Sequence, residues 1–282
     1  MPSHNLARIQ IDDLQIIGYS VAGEETVVAV PQLNVCFDIG KAPDQVIHID
    51  HVLLTHGHMD HAAGFAYYLS QRNFCGMSPG TILAPENLLG YICQIIDAWS
   101  RLDGKAIPGN LVGLKPGDEY QIKPNLVARA FPTKHCRGSL GFSIIEKRSK
   151  LKPEYHGLTG PQIVHLKKQG TQIDYTLEIP IVSYLGDTQY VDFSQLNYIA
   201  DSKILIAECT FYESDHARRA EAGRHMHIDE LATLLANMRN EHVIITHTTQ
   251  RTPMREIRRI LRQALPAHQF QKVTVLAPPR SR

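Results

Sequence analysis

Residues 55–61 read Thr-His-Gly-His-Met-Asp-His, so His56, His58, Asp60 and His61 crowd four potential metal ligands into six residues. Buried without a cation, three imidazoles and a carboxylate would leave several donors and acceptors unpaired. Neutral imidazoles with a carboxylate suit zinc, manganese or iron. Gly57 is expected to let the turn pass close to the site, and Gly64 to close the loop before a helix. One short cluster cannot surround two ions, so further ligands should follow later apolar runs. His135 lies in Pro-Thr-Lys-His-Cys-Arg-Gly-Ser-Leu-Gly-Phe, Asp187 in Tyr-Leu-Gly-Asp-Thr and His247 in Ile-Ile-Thr-His-Thr. Taken singly, each reads equally well as a satisfied polar residue at a strand end. Their order behind the cluster favours ligation. A hydroxide between two ions would be a nucleophile near neutral pH, because bound water falls from a pKa of about 15.7 towards about 7.

These residues need a rigid frame. Leu14–Tyr19, Thr26–Val30, Asn34–Asp38, Val46–Ile49 and His51–Thr55 read as short strands, β-branched and punctuated by Gly and Pro. Gly64–Gln71 carries a helical stripe, Thr81–Ala84 a strand, and Pro85 opens a helix through Leu88, Ile92, Ile95 and Ile96. Leu126–Pro132 and Gly141–Lys147 are strand-like around His135. Gly160–Lys168, opened by Pro161, is a helix within a more polar stretch. Ile181–Leu185, Lys203–Glu208 and His242–Thr246 are strands, each followed at once by a polar residue able to do chemistry. Asp229–Met238 and Met254–Ala264 read as amphipathic helices. Strands and helices alternate without a sequence repeat or a linker, which predicts one α/β domain over residues 1–282 with its site at strand ends.

Several local patterns are more specific. His135–Phe142 reads H-x-x-x-S-x-G-F, and Leu151–Gly170 contains Lys-Pro-Glu, Gly-Leu-Thr-Gly and Leu-Lys-Lys-Gln-Gly. Glu208 sits in Ala-Glu-Cys-Thr-Phe, His225 in Arg-His-Met-His, and Thr246–Arg251 follows the last long strand. From Phe37 to Arg251 the chain resembles the metallo-β-lactamase superfamily, and within it the tRNase Z branch. That resemblance implies a four-layer αβ/βα sandwich. It implies that His56, His58 and His135 bind one metal, that Asp60, His61 and His247 bind the second, and that Asp187 bridges them. Glu208 matches the branch's H-E-A-T-F motif except that Ala207 replaces its histidine. His225 resembles the proton-donating histidine, with His227 as a rival two residues on. Two features depart from the branch. Gly18–Pro31 lacks its usual segment for the tRNA end, and the stretch from His135 to Asp187 is short for a full tRNA-gripping arm.

In this reading Asp60 orients or deprotonates the nucleophile. His225 protonates the leaving oxygen, and Glu208 orients the ring and favours its charged form. The function expected is a tRNase Z-like phosphodiesterase or endoribonuclease acting on precursor tRNA or a small phosphodiester. Its cofactor would be two divalent ions, zinc first, then manganese or iron. The alternative is a small-molecule hydrolase of the same fold, acting on an ester, lactone, thioester or cyclic nucleotide. A non-catalytic RNA-binding scaffold is disfavoured by the complete ligand set.

Composition narrows the setting. Twenty-nine basic and 28 acidic residues give a net charge of +1, which argues against a strong global attraction to nucleic acid. Arg251, Arg255, Arg258, Arg259 and Arg262 read as a solvated basic face. Lys134 and Arg137, flanking His135, are better candidates for phosphate contacts. His48, His156 and His242 read as structural or surface residues, and His51 as a core residue, with support of a metal ligand from behind as the alternative. Five scattered cysteines without a C-x-x-C pair suggest reduced thiols and a cytoplasmic protein. Met1–Asp13 shows no apolar segment like that of a signal peptide, and no run approaches the roughly 20 apolar residues of a membrane span. The resemblance suggests a homodimer.

Overall fold

The computed structural model describes residues 6–277, so the first five residues of the Met1–Asp13 reading lie outside the described residues. Two seven-stranded sheets make the frame. The first holds β1 (Ala7–Ile11), β2 (Leu14–Val21), β3 (Glu25–Val30), β4 (Val35–Phe37), β5 (His51–Leu53), β6 (Thr81–Pro85) and β7 (Asn110–Leu114), in that spatial order. The second holds β8 (Glu119–Lys123), β9 (Leu126–Pro132), β10 (Leu140–Leu151), β11 (Asp174–Tyr184), β12 (Ile204–Glu208), β13 (His242–Thr246) and β14 (Val273–Val275). In each sheet the first four strands pair antiparallel and the last three are added parallel. The two halves of the chain thus share one plan, although the sequence carries no repeat.

Side-chain alternation along the strands builds the layers. Ile16, Val28, Phe37 and Leu53 of the first sheet meet Phe142, Ile144, Ile206 and Ile244 of the second in an inner core. Their neighbours point the other way. Val27, Cys36, Val52 and Ile82 pack under Tyr68, Leu69 and Ile92. Leu205, Ala207 and Ile245 pack under Leu231, Leu234, Ile257 and Leu261. The helices are, in chain order, α1 (Met59–Ala62), α2 (Phe65–Phe74), α3 (Leu89–Asp103), α4 (Gly160–Lys168), α5 (Asn197–Ala200), α6 (Ala217–Gly223), α7 (Ile228–Ala236), α8 (Met254–Ala264) and α9 (Ala267–Phe270). Helix–sheet–sheet–helix is the four-layer αβ/βα sandwich expected. Among the described residues no helix is long and apolar enough to cross a membrane.

One expected strand is absent. Val46–Ile49 is not extended; Asp44–Val46 forms a 3₁₀ turn, with Val46 N–H donating to Pro43 O at 3.0 Å and Ile47 N–H to Asp44 O at 3.3 Å. Its β-branched residues are apolar because Val46, Ile47 and Ile49 fill the outer core from a loop.

β10 and β11 outrun the sheet. β9 stops pairing at Glu146 and β12 starts at Val182, so from Arg148↔Leu177 to Leu151↔Asp174 the two strands pair only with each other. α4 caps this extension, with a Thr159/Gln162 capping box and Pro161 in its first turn, and none of its residues is buried. Short as the segment is, residues 148–180 project as an arm and do not fold flat. β10 leaves the His135 loop and β11 returns to Asp187, so the tip lies at the far end of the pair from both. Twelve residues of β10 at about 3.3 Å each put it roughly 35–40 Å away.

Candidate metal centre

The site gathers where strands end. The loop after β5 carries His56 and His58, and α1 follows with Asp60 and His61. Asp187 follows β11, Glu208 ends β12, and His247 follows β13. The sheets are stitched together here: Leu140 N–H donates to Thr55 O at 3.0 Å, and His247 N–H donates to Ser20 Oγ at 2.7 Å. Gly186 has a φ of 62°, and a Cβ there would stand 2.8 Å from the Thr55 methyl, so glycine lets Asp187 reach the centre. Gly64 is needed for packing, since a Cβ would lie 2.4 Å from Ala42 N. Gly57 is not: its Cβ would meet only Leu88, at an ordinary 3.6 Å.

Asp187 is the hub. Its Oδ2 lies 3.2 Å from Nε2 of both His61 and His247, and 3.9 Å from Nε2 of both His56 and His135. Asp60 Oδ2 is 3.8 Å from His61 Nε2 and 3.7 Å from His247 Nε2. His58 Nδ1 is 3.1 Å from His135 Nε2. His56, His58 and His135 form one group with ligand atoms within 4.8 Å of one another, and Asp60, His61 and His247 form another. All seven residues singled out in the sequence are brought together.

Hydrogen bonds fix which ring atoms face the hub. The Thr55 hydroxyl donates to Asp38 and therefore accepts from His56 Nδ1–H at 2.9 Å. The Thr210 hydroxyl donates to Glu208 at 2.7 Å and accepts from His247 Nδ1–H at 2.8 Å. His61 Nδ1–H donates to Asp38 at 2.8 Å, and His135 Nδ1–H to Arg224 O at 3.1 Å. Four Nε2 atoms are left turned inwards. Among the described residues, those of His56, His61 and His247 are buried without a hydrogen-bond partner. Such orphans cost free energy unless a cation takes them up. Burial, with His61 beside it, pushes His56 well below the ordinary histidine value, which leaves it neutral as a ligand must be. His61 is pushed up despite its burial, because Asp187 and Asp38 flank it. Burial opposes the charge on Asp60, yet the neighbouring His247 and His61 rings hold it below the usual carboxylate range. The residues fit divalent cations.

Residues 26–248 match the model of the beta-lactamase superfamily domain. A tRNase Z of Arabidopsis thaliana, TRZ1, is 34% identical over 256 residues, spanning 88% of this chain and 90% of that protein. The chain belongs to the tRNase Z family of the beta-lactamase superfamily. Solved structures agree on the fold. The metallo-beta-lactamase fold protein YhfI from Bacillus subtilis superimposes with a TM-score of 0.62 at 15% identity, over 92% of this chain and 94% of that one. The short form of human tRNase Z does so with 0.58 at 18%, over 83% and 92%. Membership of the tRNase Z family implies divalent metal ions.

Beside the metal groups this tRNase Z family member holds a second constellation. Glu208, fully buried, accepts from Thr188 N–H at 2.7 Å, Met226 N–H at 3.2 Å, the Thr210 hydroxyl, and His225 Nδ1–H at 3.0 Å. The His225 ring stacks on His247 at 4.9 Å and 17°. Burial opposes its charge, but the adjoining Glu208 raises its pKa to about 9. His227 is placed elsewhere. It caps α7, accepting from Asp229 N–H at 3.3 Å, with its Nε2 against Glu213 O at 3.1 Å. Of the two histidines, His225 stands beside the ligand groups and His227 does not.

His58, Asp60, His225 and His247 line a cleft of about 360 Å³ together with Phe211 and Arg251. Arg251 is the one arginine of the C-terminal group that lines it. Arg259 pairs with Glu256, and Arg262 lies over the Phe270 ring. Lys134 and Arg137 are exposed outside the cleft lining. His48 is exposed and His51 binds Asn34 O, both away from the centre.

Sequence reasoning passed over Asp38. It is fully buried with a φ of 52°, a left-handed value unusual for a non-glycine. It accepts from Thr55 N–H, the Thr55 hydroxyl, His61 Nδ1–H and the Tyr184 hydroxyl. The only sequence signal was an acid ending an apolar strand. Asp38→Asn keeps the volume but turns an amide donor towards these donors. It is expected to weaken metal binding about 10–100-fold, as outer partners of ligands do, measured by chelator competition. Unchanged affinity would reduce Asp38 to a packing role.

Proposed function

We propose that this chain is a metal-dependent phosphodiesterase that trims the 3′ end of precursor tRNA. His56, His58 and His135 would hold one divalent ion, Asp60, His61 and His247 the other, and Asp187 both. Bound there, the ions would polarise the phosphodiester and make water a better nucleophile near neutral pH. Asp60, its Oδ2 held by Gly23 N–H at 3.0 Å, orients the attacking water. His225, charged and anchored through Nδ1 on Glu208, gives a proton from Nε2 to the leaving ribose oxygen.

The observation that carries this reading is the His225–Glu208 pair beside the ligand groups. An alkoxide is a poor leaving group and needs an acid, whereas a thioester does not. The projecting arm supports a large substrate, because its tip is too far from the centre to touch the bond being cut. It would grip a distant part of the tRNA.

Zinc is our first choice of ion, since six of the proposed ligand positions offer imidazole or carboxylate atoms familiar at zinc sites and Asp187 can serve both. We propose a cytoplasmic protein, as all five cysteines are free, acting as one domain because the ligands come from both sheets. We also propose a homodimer. α3 exposes Tyr91 (67%), Ile95 (43%), Trp99 (54%) and Leu102 (76%) along one side, near exposed Tyr67 of α2, and such a face calls for a partner.

Metal-loaded protein assayed on precursor tRNA and on bis(p-nitrophenyl) phosphate tests the activity. Cleavage of both is expected. Turnover of the small diester alone would remove tRNA as the substrate, and turnover of neither would shift the site to carboxylic esters.

A further inference from the structure

Phe211 stands out among the residues that line the metal cleft. The others that reach it are charged, polar or small; Phe211 is a large apolar ring. It is half-buried and takes no part in the apolar core, whose inward place at this point belongs to Tyr212, 3% exposed. Its backbone is fixed: Phe211 pairs with His227 as an isolated bridge, and Ile228 N–H donates to Phe211 O at 2.9 Å. Its ring packs against the buried ring of His216 at 5.9 Å and 76°, and lies 6.3 Å from the ring of His225. A held aromatic beside a proton donor, in a polar cleft, loses little freedom when it takes on a flat partner.

We propose that Phe211 stacks on the nucleobase of the nucleotide whose oxygen leaves. The inference rests on the phosphodiesterase reading above. If His225 protonates that oxygen, the ribose that carries it lies at His225, and its own base falls next to the neighbouring aromatic ring. Stacking tolerates any base, because every base offers a π face. Arg251, which also lines the cleft and makes no ion pair among the described residues, supplies a cation for the adjoining phosphate. The cleft therefore favours a nucleotide over a plain diester through the Phe211 ring.

The test uses the full metal-loaded chain and two substrates. One is precursor tRNA; the other is the same RNA with an abasic ribose at the nucleotide carrying the leaving oxygen. Phe211→Ala is expected to lower kcat/KM on the intact RNA by about 10- to 100-fold, with metal content unchanged. Phe211→Trp should stay close to wild type, while Phe211→Leu, which keeps bulk and so guards against a folding defect, should lose most of what alanine loses. On the abasic RNA the wild type should fall to the level of Phe211→Ala, and the substitution should cost nothing more. An equal loss on both RNAs, or no loss on the intact one, overturns the stacking role and leaves the phosphodiesterase reading standing. A wild-type protein that cuts neither RNA overturns that reading and the stacking with it.

Discussion

Asp187→Ala is expected to take the metal content from two ions per chain to one or none and to abolish turnover. The reason is geometric. One oxygen, Asp187 Oδ2, lies between 3.2 and 3.9 Å from the inward nitrogens of four histidines. Burial opposes its charge, and His247 and His61 more than offset that, holding the carboxyl well below its usual range. Without it four imidazoles face one another with no shared anion, and nothing would offset the repulsion between two cations held by these residues. Losing the several kcal/mol that such ions supply corresponds to at least about 10³-fold in rate. Asp187→Asn separates charge from shape: it should retain the fold and still lose an ion. Elemental analysis after dialysis, paired with turnover of precursor tRNA, gives the answer. Two ions retained with near-normal turnover would mean that Asp187 does not hold both ions.

How such a centre can be read from sequence depends on where each residue's meaning is stored. His56, His58, Asp60 and His61 are legible because a loop and a four-residue helix carry them all, so adjacency in sequence is adjacency in space. His135, Asp187 and His247 were visible only as polar residues ending apolar strands, and their common fate depends on both sheets presenting the same edge. Thr55 and Thr210 were silent, and Asp38 showed only as an acid ending an apolar strand. A threonine at a strand end is ordinary, and its task here, passing a hydrogen bond from a ligand ring to a buried carboxylate, exists only after β4 and β5, or β12 and β13, have paired.

The same division runs through the fold. Central strands such as β12 and β13 are continuous apolar runs because both faces are covered, and they were readable. The edge strands β1, β7, β8 and β14 went unread. β8, Glu119–Lys123, buries only Ile122, since an edge strand has a solvated side on which polarity costs nothing. The Val46–Ile49 run shows the opposite error. Apolar content reports burial, and burial in a loop looks like a strand when the run is short. The arm was legible in its helix, through Pro161, but not in its reach, which comes from two strands continuing past their neighbours.

His225→Ala is the substitution that separates acid catalysis from metal binding. Its ring is near enough to the hub to be mistaken for a ligand, with Nδ1 3.9 Å from Asp187 Oδ2. Yet that nitrogen already donates to Glu208 at 3.0 Å, and the carboxylate beneath it is held by three further donors. A ring so anchored, and raised to about 9 by Glu208 against the effect of burial, carries its proton at neutral pH. Removing it should leave both ions in place and slow cleavage of precursor tRNA by about 10²- to 10⁴-fold. The leaving group then becomes the diagnostic. p-Nitrophenoxide departs without protonation, so bis(p-nitrophenyl) phosphate should lose far less. Equal losses on the two substrates, or the loss of an ion, would move His225 from proton donor to metal ligand. Glu208→Gln should reproduce a weaker form of the same pattern, because a neutral amide can still orient the ring but no longer favours its charge.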